Sequence, residues 1–191
     1  MRDAQLVLED IRSCANSADS EGLTSLFTEL ETAVLNADEW PNGFYQGISE
    51  VQGNEDFLRL DNSWKLLYFL NNNWERLSAQ QRRGLRNILS EGFDKYQNWM
   101  GAFVTSEILG ERYADEDALA TFARLGKIAR LPARAAVPHG LETLARTTQS
   151  ESLRDLAIKQ LQELQKSSDS EQVRREALLS LGKLAPEGGL T

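Results

Sequence analysis

LRDLAIKQLQEL at residues 153–164 and VRREALLSLGKL at residues 173–184 carry one pattern twice, twenty residues apart. Leu153, Arg154, Ala157, Leu161 and Leu164 find their counterparts in Val173, Arg174, Ala177, Leu181 and Leu184. A looser copy lies one period earlier, at Arg134, Val137, Leu141 and Leu144. Apolar residues at this spacing line one face of a helix. One helix and one turn per period means a helix pair per two periods, which is how stacked helical hairpins repeat. The spacing therefore predicts an all-α fold, a right-handed stack of antiparallel helical hairpins.

The helical code extends outward from this echo. Residues 3–16 put Leu6, Val7, Ile11 and Cys14 on one side, and Ser20 is placed to cap a second helix carrying Leu23, Leu26, Phe27, Leu30 and Val34 to about Asp38. From Asn62, the residues Trp64, Leu66, Leu67, Phe69 and Leu70 make a helix apolar on most sides, which belongs at the centre of a fold. Ser78 and Gln81 have capping-box spacing before the Leu85–Tyr96 stripe. Asn98 and Asp115 are placed to cap the next two helices. Residues 132–147 form a helix that Pro138 should kink or restart, and Ser150 and Asp169 open the last two. The count is about nine helices, with no strand.

Residues 38–62 break this rhythm. Trp40-Pro41-Asn42-Gly43 is a turn signal, and Gly47 and Gly53 interrupt the residues after it. Phe44, Tyr45, Ile48, Val51, Phe57 and Leu60 alternate irregularly among acids, which reads as a partly ordered insertion with one short helix. Long insertions of this kind are often functional.

The C-terminal pattern resembles the HEAT-like repeats, an α-solenoid family, on the two stretches quoted above and on FARLGKIARL at 122–131. The resemblance covers residues 112–186, while 1–111 share only a helical-hairpin character with it. It implies a single helical domain over 1–191, with divergent hairpins at 1–111, the insertion at 38–62 and HEAT-like repeats at 112–186. It also implies that the small alanines let helices approach closely, and that the arginine at each repeat junction contacts an acid or an exposed carbonyl. The family's functions are diverse, so the fold leaves the activity open.

Composition narrows the function classes. The 191 residues carry a net charge of −8, with 41% apolar residues and a mean hydropathy of −0.45, the profile of a globular chain able to bury a core without disulfide or metal staples. No apolar window is long enough for a membrane span, and the N-terminus lacks the basic start and apolar run of a signal peptide. With the single Cys14 this points to a reducing cytoplasm, and Cys14 itself reads as a core thiol. Residues 1–61 hold 13 acids against three bases, a balance of −10, whereas 62–191 hold 16 acids and 18 bases. An acidic first third repels phosphate backbones and attracts basic surfaces.

Reaction chemistry is hard to find. His139 is the only histidine, with Glu142 three residues on, and reads as a half-buried residue at a helix kink. Gly43, Gly47 and Gly53 lack the strand-to-helix setting of a phosphate loop. Asp115, Glu116 and Asp117 suit the first turn of a helix. Arg82, Arg83 and Arg86 form the densest basic cluster, which Arg124, Lys127, Arg130 and Arg134 could extend, but the overall acidity argues against nucleic acid. Trp64, Trp74 and Trp99 read as core, and Trp40 stands apart from them.

The expectation is a non-catalytic protein-binding module without cofactor or metal, an inhibitor or adaptor that sequesters a basic partner. An immunity-type protein blocking a nuclease or other toxin is one concrete form. Asp38, Glu39, Glu50, Glu55, Asp56 and Asp61 would steer that partner, and Trp40, Phe44 and Tyr45 would anchor it. The bland counterpart is that the acids are a solvated face and the aromatics pin the insertion to the core. Two alternatives stay open. One is an enzyme or enzyme subunit on the same scaffold, resembling HEAT-like DNA glycosylases or chromophore lyases, with polar groups converging near Trp99, Glu107, Arg112 or His139. The other is self-association through an end repeat.

Overall fold

In the computed structural model, the residues described are 3–17, 19–35, 40, 43–131 and 133–185. Among them there are eleven α-helices and no strand, two helices more than the periodicity suggested. In chain order these are α1 (Ala4–Ser17), α2 (Ser20–Leu35), α3 (Phe44–Gly53), α4 (Glu55–Leu58), α5 (Trp64–Asn72), α6 (Ala79–Gly92), α7 (Trp99–Arg112), α8 (Glu116–Ile128), α9 (Ala133–Thr147), α10 (Glu151–Ser167) and α11 (Glu171–Leu184). Single 3-10 turns lie after α5 at Trp74–Arg76 and after α6 at Phe93–Lys95. The chain divides into two compact units, Met1–Gly101 and Ala102–Thr191.

In the first unit, residues 43–62 of the expected insertion at 38–62 hold two helices where one short helix was expected. Gly43 takes a left-handed φ of 78°, where a side chain would be strained, and α3 starts immediately after it. α3 then buries Phe44, Ile48 and Val51, and α4 buries Phe57 and Leu58. Asn54 caps α4 by accepting from the Asp56 and Phe57 amides. α3 packs on α1 and α6, α4 on α1, and α2 on α1 and α5. Irregular alternation here is two short helices end to end, each exposing acids and burying its apolar side. Positions 38, 39, 41 and 42 lie outside the described residues.

In the second unit the most buried helix is α9, not an evenly apolar one. Ala133, Ala135, Ala136, Val137, Pro138, Gly140, Leu141, Leu144 and Ala145 are all buried, and α8, α10 and α11 pack around the helix. Small side chains permit this. A Cβ on Gly110 of α7 would lie 2.4 Å from the Gly140 carbonyl oxygen, so the two backbones meet with no room for a side chain. α9 runs through Pro138 without a restart.

The twenty-residue echo is an echo of contacts. Ser150 caps α10 by accepting from the Leu153 amide, and Ser170 caps α11 by accepting from the Val173 amide. Thr148 and Ser168 accept in turn from the amides of Ser150 and Ser170. Arg154 Nε donates to the Ala145 carbonyl, and Arg174 Nη1 donates to the Ser168 carbonyl at 2.5 Å, so each arginine satisfies the end of the preceding helix. Two expected caps shift by one residue. Asp19, not Ser20, accepts from the Gly22 amide at the start of α2, and Ser170, not Asp169, opens α11. The capping box of Ser78 and Gln81 and the caps from Asn98 and Asp115 form as expected.

Candidate protein-binding surface

Of the nine residues expected to meet a partner, Asp38 and Glu39 lie outside the described residues. Phe44 is 0% exposed and edge-packed against Trp40 and Phe69, so it is core and not a surface anchor. Trp40 stacks on Phe69 with ring centroids 5.9 Å apart, and its Nε1 is buried. The Tyr45 hydroxyl donates to the Gln81 carbonyl at 2.6 Å, fastening α3 to the start of α6. Much of this aromatic group therefore turns inward.

The acids divide differently. Glu50 pairs with Arg12 of α1, Glu55 with Lys95 at 3.0 Å, and Asp56 with Arg59 at 3.5 Å. Each has its charge offset locally, which weakens its field at a distance. Asp61 is exposed and in no ion pair among the described residues, and the same holds for Glu9, Glu21 and Glu31 on α1 and α2.

The start of α5 lies beside the start of α2. Asn62 Nδ2 donates to the Ser20 carbonyl at 3.1 Å, and Lys65 Nζ lies 3.3 Å from Thr24 Oγ1. Trp64 and Tyr68, one helical turn apart on α5, stand edge to face with centroids 5.4 Å apart, and Tyr68 is 38% exposed. The Lys65 ammonium lies over the Trp64 ring, 5.8 Å from its centre. The α2–α5 junction thus carries an aromatic pair whose Tyr68 ring reaches solvent, and Asp61 and Glu21, chain neighbours of the bonded Asn62 and Ser20, are exposed and in no ion pair among the described residues. Trp64, expected in the core, is half-buried, and Tyr68 at i+4 marks the solvent side of an otherwise apolar helix.

Trp74 is buried beneath Arg82, which pairs with Glu75 at 3.1 Å. Burial pushes the Glu107 carboxyl up, and Glu111 adds to it. His139 stacks flat on Phe103 with centroids 3.9 Å apart, and burial lowers its pKa to about 4 against the opposing pull of Glu142. Burial also raises the half-buried Cys14 thiol, with Asp19 and Asp10 adding to the effect, which makes it a poor nucleophile. Among the described residues no group of three or more His, Cys, Asp or Glu is placed to hold a metal, and no helix is long and apolar enough to cross a membrane. No protein-family model, curated protein or solved structure matches the chain.

Proposed function

We propose that this chain is a non-catalytic binding protein for a basic protein partner, acting in the cytoplasm as an inhibitor or adaptor, with its docking surface at the α2–α5 junction. The observation that carries the reading is the partly exposed Trp64–Tyr68 pair on α5, whose start is bonded through Asn62 to Ser20 of α2, next in the chain to Asp61 and Glu21, two acids in no ion pair among the described residues. Acids steer a basic surface into encounter, and half-exposed aromatic rings gain most from being desolvated on contact. The balance of −10 over residues 1–61 supports the same sign of partner. An immunity-type protein facing a nuclease or toxin is one form of it. The junction contacts of Arg154 and Arg174 support a HEAT-like stack for residues 112–186, which in this reading is the frame and not the binding face.

The test is kinetic. Once the partner is isolated with the full chain and purified, association is measured by stopped flow at low and high ionic strength. The rate should fall about tenfold or more with salt, and similarly in a Glu21→Lys/Asp61→Lys variant. Trp64→Ala should instead speed dissociation. A partner that associates equally fast at both salt concentrations, with both variants unchanged, removes the reading.

A further inference from the structure

A seam runs between α8 and α10 in the second unit, independent of the surface proposed above. At one end a recess of about 460 Å³ is lined by Asp115, Glu116 and Asp117 at the start of α8 and by Ser150 and Leu153 at the start of α10. At the other end a recess of about 560 Å³ is lined by Phe122, Ala123 and Gly126 of α8 and by Gln160 and Leu164 of α10. Starts meet starts and later turns meet later turns, so the two helices run in the same direction and the recesses lie along one line.

Leu156 joins the two recesses. It follows Leu153 by three residues and precedes Gln160 by four, so the three share one face of α10. Leu119 holds the matching place on α8, three residues after Glu116 and three before Phe122. Leu119 is only 7% exposed, whereas Leu156 is 49% exposed. Ala123 and Gly126 keep the α8 wall low, and a Cβ on Gly126 would come within 3.3 Å of Leu164 Cδ2.

Charge is spread unevenly along this line. Three acids and no base line the first recess, and Glu116 is exposed and in no ion pair among the described residues. In the second recess Lys127 and Arg134 balance Glu163 and Asp169, and Arg134 is held by Asp169 at 2.9 Å. The seam is therefore apolar through its middle, acidic at one end and neutral at the other. From Leu153 to Leu164 its α10 side spans about 16 Å, or about three turns of helix.

Two helices side by side leave a trough that takes the side-chain ridge of a third. We propose that this seam receives an amphipathic helix of a partner protein. The apolar stripe of that helix lies on Leu156 and in the recess between Phe122 and Leu164, and its Lys or Arg residues lie at the end facing Asp115, Glu116 and Asp117.

The ¹⁵N-labelled full chain is titrated with a synthetic helical peptide of about fourteen residues. It carries Leu at helical spacing, Lys only in its last turn, and Ala and Gln elsewhere, and a second peptide has Glu in place of Lys. The Lys peptide should shift the amides of residues 115–127 and 150–167 and leave those of α2 and α5 in place. The Glu peptide should bind about tenfold more weakly, and the Lys peptide should lose about as much on the Leu156→Gln and Glu116→Lys variants. Both positions are exposed, so each variant should keep its Tm within about 3 °C of the parent. The Glu21→Lys/Asp61→Lys variant should bind the Lys peptide as the parent does, which separates this seam from the α2–α5 junction. Absence of saturable shifts, shifts on α2 and α5 alone, or unchanged affinity in Leu156→Gln would each overturn the proposal. Equal binding of the two peptides, or unchanged affinity in Glu116→Lys, would overturn the basic character assigned to the partner helix.

Discussion

Lys183 Nζ on α11 lies 3.1 Å from the Glu142 carboxylate on α9, forty-one residues earlier in the chain. Glu142 is 1% exposed, so the lysine reaches inward from the surface to a buried charge. Arg146 approaches the other carboxylate oxygen at 3.4 Å. One acid thus ties the last helix to the helix at the centre of the unit.

This contact should show as a coupling between the two residues more than as a large single loss. Because Lys183 is itself solvated and Arg146 remains, Lys183→Met should destabilise by only about 1 kcal/mol. Glu142→Leu alone strands no charge in the interior but loses two hydrogen bonds, and adding Lys183→Met to it should cost little more. Urea denaturation of the four proteins gives the coupling energy, and strict additivity would show that the contact contributes nothing.

His139 gives stability a pH dependence with a definite sign. Burial lowers its pKa from the ordinary 6.5 to about 4, so the folded chain binds fewer protons than the unfolded one between those values. Its contribution is therefore complete above about pH 6.5 and is lost as the pH falls towards 4, by at most about 3 kcal/mol. His139→Phe retains a ring to stack on Phe103 and should flatten the stability profile between about pH 5 and 6.5, above the main carboxylate range. A histidine titrating near 6.5 by NMR would contradict this.

Two glycines should respond in opposite directions to alanine. At Gly110 the new Cβ would sit 2.4 Å from the Gly140 carbonyl oxygen and 3.0 Å from the Leu144 nitrogen, both backbone atoms. Gly110→Ala must push α7 from α9 and should destabilise by about 2 kcal/mol or more. Gly182, inside α11, has nothing within 4 Å, so Gly182→Ala should stabilise by about 0.5–1 kcal/mol through helix propensity. Melting temperatures of the two variants decide it.

Phe44 separates a core role from a binding role. A fully buried ring packed edge-on against Trp40 and Phe69 should cost about 3–5 kcal/mol when cut to alanine. Tyr68→Ala, on the exposed side of α5, should change stability by less than about 1 kcal/mol and act on partner dissociation instead. The comparison is made by chemical denaturation alongside binding, and a Phe44→Ala chain of normal stability would return Phe44 to the surface.

Local code is readable where local interactions decide the outcome. The Ser78–Gln81 box and the caps at Asn98 and Asp115 depend on residues three apart, and they form as the spacing predicts. The cap shifts at Asp19 and Ser170 reflect competition between adjacent polar residues that composition alone does not rank. Residues 43–62 hide their helices because α3 and α4 are too short to show a sustained helical period, and only packing on α1 and α6 establishes which side is buried.

By itself the sequence determined the helical class, the twenty-residue echo and the acidity of the first third, since periodicity, capping and charge are counted along the chain. Tertiary structure alone decided which acids remain unpaired and which aromatic rings reach solvent. Glu50 is offset by Arg12 and Glu55 by Lys95, partners about forty residues away in the chain. Asp61, three residues before Trp64 in the chain, is exposed and in no ion pair among the described residues. Ion pairing and burial depend on distance in space, and only packing sets that distance.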